Sequence, residues 1–186
     1  PAGLPALIGA DWAKTGSGGF LSRYNALLSA ANEEGAQGRD APVAARMALA
    51  RFLVGSELSY EAIGVLNETA RRSPAVMEDP EFRGLRGVAR IMARRYKEAQ
   101  ADLSVPILSD DPSAALWRSY AAAQLSQWSD ARNQFGAGAQ AFNRFPAVWK
   151  ARFSRSDAKA ALALGDVNGA QARVRLALMD KTDPME

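Results

Sequence analysis

Ser156-Asp157-Ala158-Lys159 has the S-x-x-K spacing and Lys14-Thr15-Gly16 the K-T-G spacing with which serine β-lactamases and penicillin-binding enzymes place a hydroxyl nucleophile beside an amine. Here K-T-G comes first and sits in a glycine-rich stretch, not on a strand. Ser129-Asp130-Ala131 lacks the asparagine of the third motif. Lys14-Thr15 follows Ala13, so the glycine that a phosphate loop needs before its lysine is missing. Adjacent acids, Glu33-Glu34 and Asp110-Asp111, fall at helix ends and loops, where capping and solvation account for them. The chain has no histidine and no cysteine. That removes the usual base for a serine nucleophile, disulfides, and the common zinc and redox ligands. No catalytic residue, cofactor, metal or small-molecule substrate is expected.

The arginines are more informative. Arg83, Arg86, Arg90 and Arg94 are spaced by three, four and four residues, which puts them on one face of a helix. Arg152, Arg155 and Lys159 repeat the spacing, and Arg51 and Arg118 take equivalent places elsewhere. A guanidinium grips a carboxylate through two parallel hydrogen bonds, so this stripe suits an acidic partner. Four like charges on one face repel one another, which favours a ligand that offsets them.

The elements that position these residues read as helices. Alanine is abundant while valine, isoleucine and threonine are sparse, a composition that favours helix over strand. Residues 1–19 carry seven glycines and prolines and read as a loose lead-in. Residues 20–41 hold one amphipathic helix, Phe20 to about Glu34, and its terminating loop. Residues 42–186 alternate helix and short turn. Helices are expected near 42–56, 59–72, 80–94, 97–109, 113–126, 129–143, 146–164 and 167–179. Asp79-Pro80 and Asp111-Pro112 are matching helix starts, and Gly165-Asp166 combines a stop with a start. Pro106 kinks or shortens the helix around it.

Landmarks recur 32 residues apart: Pro80 and Pro112, Leu85 and Trp117, Ala89 and Ala121, Tyr96 and Trp128, Ala99 and Ala131, Leu103 and Phe135. The best copy reads Trp117-x2-Tyr120-Ala121-x2-Gln124, Ala131-x3-Phe135, Pro146. The preceding copy runs from Leu85 to Pro112 and an earlier one from Arg46 through Leu49, Ala50, Leu53, Ala62 and Leu66 to Pro74. A weak last copy holds Ala158, Gly165-Asp166, Ala170, Val174 and Pro184. This resembles the tetratricopeptide repeat family in a divergent, bacterial-type form.

The resemblance implies an all-α solenoid of about four antiparallel helix pairs in a right-handed superhelix. In that family first helices line the concave surface and second helices the convex one. Arg51, Arg83, Arg86, Arg90, Arg94, Arg118, Arg152, Arg155 and Lys159 would then form a basic groove, with Glu61, Glu68, Glu98, Asp102 and Asp130 outside. The small residues Ala89, Ala99, Ala121 and Ala131 would mark helix crossings.

The function expected is non-enzymatic: a scaffold binding an acidic peptide or protein surface. The alternative is a regulatory or assembly module of a larger protein, since the chain opens on Pro1-Ala2-Gly3 without an initiator Met. Nucleic-acid binding through the same arginines fits less well, because few aromatics interleave them for base stacking. No apolar run approaches the ~20 residues of a membrane span. The net charge of +3 is mild and leaves the compartment open.

Overall fold

The computed structural model describes residues 6–38 and 41–179. Pro1–Pro5, Asp40 and Pro184, all used in reading the sequence, lie outside the described residues. Among those described the fold is all-helical, without strands. No described helix is long and apolar enough to cross a membrane. The elements are α1 (Gly19–Ala36), α2 (Ala44–Gly55), α3 (Ser59–Arg72), α4 (Pro80–Met92), α5 (Tyr96–Leu103), α6 (Pro112–Gln124), α7 (Trp128–Gly138), α8 (Ala147–Ala163) and α9 (Val167–Met179). Short 3-10 turns at Pro74–Glu78, Pro106–Leu108 and Ala139–Arg144 join α3 to α4, α5 to α6 and α7 to α8. The helix expected over 97–109 stops at Leu103, and Pro106 opens the 3-10 turn beyond it.

Side chains cap the starts of α2, α4, α6 and α9. The Asp79 carboxylate accepts from the Phe82 amide at 3.0 Å, and Asp111 accepts from the Ser113 and Ala114 amides at 2.8 and 3.2 Å. Each precedes a proline whose missing N–H costs nothing there. Asp166 accepts from the Gly169 amide at 2.8 Å at the head of α9. The cap of α2 comes from another helix. Glu34 of α1 accepts from the Ala45 and Arg46 amides at 2.7 and 3.1 Å and from the Arg46 guanidinium at 2.9 Å. Burial opposes the charge on Glu34, yet these donors outweigh it and hold the carboxyl below its ordinary pKa.

Four connections, α2–α3, α4–α5, α6–α7 and α8–α9, share one turn. Its central residue is left-handed: Glu57 (φ 60°), Arg94 (φ 59°), Ser126 (φ 59°) and Gly165 (φ 80°). The next amide reaches five residues back: Leu58 to the Leu53 carbonyl, Arg95 to Arg90, Gln127 to Ala122 and Asp166 to Ala161, at 2.8–2.9 Å. This pattern ends one helix and aims the chain into the next. Four residues further on sit Ala62, Ala99, Ala131 and Ala170, all at most 3% exposed.

Counting from this turn gives the register. Ala89 and Ala121 lie five residues before it and are fully buried. Ala50 lies seven before it, so the first unit is offset by two residues from the expected alignment, and Phe52 holds the place of Ala89. Arg51 is therefore not equivalent to Arg86 and Arg118, which lie eight before their turns; Leu49 is.

Consecutive helices pack on each other, and α2 also touches α4, α4 touches α6, and α6 touches α8. Trp117, 1% exposed, anchors the core between α6 and α8, with ring centroids 4.4 Å from Trp149, 5.1 Å from Phe153 and 5.8 Å from Phe145. Burying such a ring contributes more than the ~1.5–3 kcal/mol of an aliphatic side chain, because edge-to-face contacts add to the area term.

The lead-in departs from expectation. Leu7 is 1% and Ile8 8% exposed, and both belong to the main core. Glycine-rich composition signalled a loop, and among its described residues the two apolar side chains Leu7 and Ile8 are nevertheless buried.

Candidate functional site

The arginine stripe does not form one surface, and its members divide by partner. Arg83, Arg86 and Arg90 turn from α4 toward α5. There Asp102, 1% exposed, accepts from Arg86 Nε at 2.9 Å, Arg86 Nη2 at 2.8 Å and Arg90 Nη1 at 2.6 Å, with Arg83 Nε 3.2 Å away. Arg83 Nη2 also donates to the Ala101 carbonyl at 2.8 Å. The Arg86 guanidinium lies 5.1 Å from the Phe82 ring centroid. The turn places Asp102 sixteen residues after Arg86, opposite it, so the expected sorting of basic inside from acidic outside does not hold here. Much of the expected repulsion among these arginines is relieved within the chain.

Arg118, 9% exposed, donates to the carbonyls of Leu103, Leu108 and Ser109 at 3.0–3.2 Å and to Gln134 Oε1 at 2.8 Å. It ties down the α5–α6 link. Burial pushes its pKa below the ordinary arginine value, with Asp111 opposing. Arg51 Nε is 2.5 Å from Glu81 Oε1, and that hydrogen bond raises its pKa. Arg155 and Lys159 are exposed on α8, the ammonium of Lys159 lying 5.4 Å from the Trp128 ring centroid.

One inter-helix position recurs in all four units with different chemistry. Arg86 faces Asp102, Arg118 faces Gln134, and Asp157 faces Arg173, each pair sixteen residues apart. In the first unit the same spacing gives Leu49 and Val65, which line a common cavity. The position holds an apolar pair, an ion pair, a neutral hydrogen bond and an ion pair of reversed sense. In the fourth unit the buried Asp157 also binds Arg132 at 2.8 Å.

The remaining two expected residues, Arg94 and Arg152, come together across a cleft of about 340 Å³. Its walls are Glu57 and Arg94 from two of the left-handed turns, Ile91 and Met92 from the end of α4, Tyr96, Tyr120, and Trp149 with Arg152 at the head of α8. The Tyr120 ring sits 6.4 Å from Tyr96 and 5.9 Å from Trp149. Burial, then Tyr120, raises the Tyr96 pKa, so its hydroxyl stays a hydrogen-bond donor at neutral pH. Arg94 is exposed. Arg152 stacks 4.5 Å from the Trp149 ring centroid and pairs with Glu57 at 3.5 Å, both side chains more than a third exposed. Such a solvated pair contributes only about 0–1 kcal/mol and exchanges readily.

Sequence reasoning did not select Glu57, Tyr96 or Tyr120. Tyr96 and Tyr120 read in the sequence as repeat landmarks, and nothing local to Glu57 announces the left-handed turn that places it beside Arg152. No family model matches the chain, and neither a curated protein nor a solved structure matches it.

Proposed function

We propose that this chain is a tetratricopeptide-like solenoid of helix pairs that acts as a non-enzymatic scaffold, binding an acidic segment of a partner protein in the cleft between Arg94 and Arg152. The four identical turns and the contacts between alternate helices support the stacked-repeat reading. The observation that carries the binding reading is the pairing of two accessible guanidiniums with an aromatic wall. Arg152 is held on Trp149 by stacking and needs only to release Glu57 to receive a ligand carboxylate. Arg94 offers a second charge from the facing turn. Tyr96 and Tyr120 supply rigid, amphipathic contact surface that loses little entropy on binding. The volume accommodates a few side chains, not a folded domain.

The test is fluorescence anisotropy with a labelled hexaglutamate peptide, beside a hexalysine peptide and a single-stranded hexanucleotide. The acidic peptide should bind, and more weakly as salt shortens the screening length to about 8 Å at physiological ionic strength. Equal binding of the lysine peptide would contradict the reading. Preference for the nucleotide, with a steep salt slope, would replace it with nucleic-acid recognition.

A further inference from the structure

A second binding arrangement, separate from the cleft, is filled by the chain itself. Residues 6–13 run along the first helices of three units, in turns but without a helix of their own. The scaffold grips the backbone of Leu7 from both sides. Its amide donates to Ser113 Oγ at 2.9 Å, and its carbonyl accepts from the Trp117 indole N–H at 2.7 Å. Ser113 and Trp117 are 2% and 1% exposed, and Asp111 fixes the serine by accepting from its hydroxyl at 2.6 Å.

Two glycines open the floor. A Cβ at Gly84, inside α4, would stand 2.5 Å from a Leu7 methyl. One at Gly55, at the end of α2, would stand 2.6 Å from the Ala13 nitrogen and Trp12 Cβ. A glycine inside a helix is unfavourable relative to alanine, and Gly84 stands in α4 against that propensity at the point where Leu7 fills the space a Cβ would take. This combination, main-chain hydrogen bonds for affinity and a side-chain trough for selectivity, is how domains recognise extended peptides. The tether to α1 is exposed at Lys14, Gly16, Ser17 and Gly18, and Gly16 and Gly19 are left-handed.

We infer that the trough over Gly55 and Gly84 is a peptide-binding site occupied in cis, with residues 6–13 serving as a detachable internal ligand of Leu-x4-Trp pattern. A partner segment with the same pattern, an aliphatic residue at the Ser113–Trp117 clamp and an aromatic five residues on, competes for it. The site is blocked until the tethered segment leaves.

The test inserts a protease site between Gly16 and Ser17 in the full chain, folds it, cuts it, and adds a fluorescent peptide copying residues 1–16. The peptide should exchange with the cut segment at one per chain, while far-ultraviolet circular dichroism stays constant. A Leu7→Asp peptide should bind at least tenfold more weakly. Gly84→Ala in the scaffold should weaken the parent peptide and narrow its advantage over a Leu7→Ala peptide. If helicity collapses whenever the segment leaves, residues 6–13 are a fixed part of the core and the inference fails. Equal binding of the Leu7→Asp peptide would also overturn it.

Discussion

Two sets of arginines in this molecule look alike in sequence and are used differently. Arg83, Arg86 and Arg90 converge on a buried carboxylate, Asp102, and hold α4 to α5. Arg94, four residues further on, has left the helix for a left-handed turn and faces Arg152 across an open cleft. The difference teaches that helical spacing alone does not make a binding surface. What decides the role is whether an acid lies opposite on the neighbouring helix, and here the shared turn places residue 102 opposite residue 86.

The largest effect should come from removing the shared partner. Asp102→Ala leaves three guanidiniums packed together without their carboxylate, and should cost about 3–5 kcal/mol in chemical denaturation. A loss within the ~0.5 kcal/mol of a surface substitution would mean the cluster is solvated and the comparison false.

Acid should act next, at another buried ion pair, Glu34 with Arg46. Glu34 is a buried, hydrogen-bonded carboxylate whose folded pKa lies below 4.5. Its contribution is fully present above the unfolded-state value and is lost as pH falls from about 4.5 through the folded value. Glu34→Gln should therefore flatten the acid side of the stability profile and cost ~1–3 kcal/mol at neutral pH. An unchanged profile would remove Glu34 from the cap of α2.

A smaller change tests the recurring position. Gln134→Glu would convert the third unit to the ion pair of the second and should gain up to ~1 kcal/mol at neutral pH, by giving the buried Arg118 a charged acceptor. Destabilisation would show that the four units do not share this site.

The smallest stability effect is expected at Arg94. A left-handed L-residue costs about 1–2 kcal/mol, and glycine there recovers part of it against its own unfolded-state entropy. Arg94→Gly should raise stability by less than ~1 kcal/mol while weakening peptide capture.

Most of the helices were legible because their signals are local. Asp79-Pro80, Asp111-Pro112 and Gly165-Asp166 mark starts and stops by chemistry that acts within one turn of chain. The 32-residue spacing of Ala89 and Ala121 identified buried small residues. What was not legible depends on contacts across many residues. Nothing beside Arg86 announces that Asp102 will face it. The offset of two residues in the first unit is hidden because Ala50 fits the repeat pattern as well as Phe52 fails it. Leu7 sits in a glycine-rich stretch, and its place is fixed by Ser113 and Trp117, more than a hundred residues away. Of the nine basic residues marked in the sequence, only Arg94 and Arg152 line the cleft, because a stripe assigned by spacing carries no information about turns.

The most direct measurement is the affinity of hexaglutamate for the parent chain, for Arg94→Ala/Arg152→Ala, and for Arg155→Ala/Lys159→Ala, each with its melting temperature. The cleft pair should lose about tenfold or more in affinity, equivalent to ~1.4 kcal/mol, with melting unchanged. The exposed α8 pair should bind like the parent. Undiminished binding by the Arg94→Ala/Arg152→Ala chain would contradict the account.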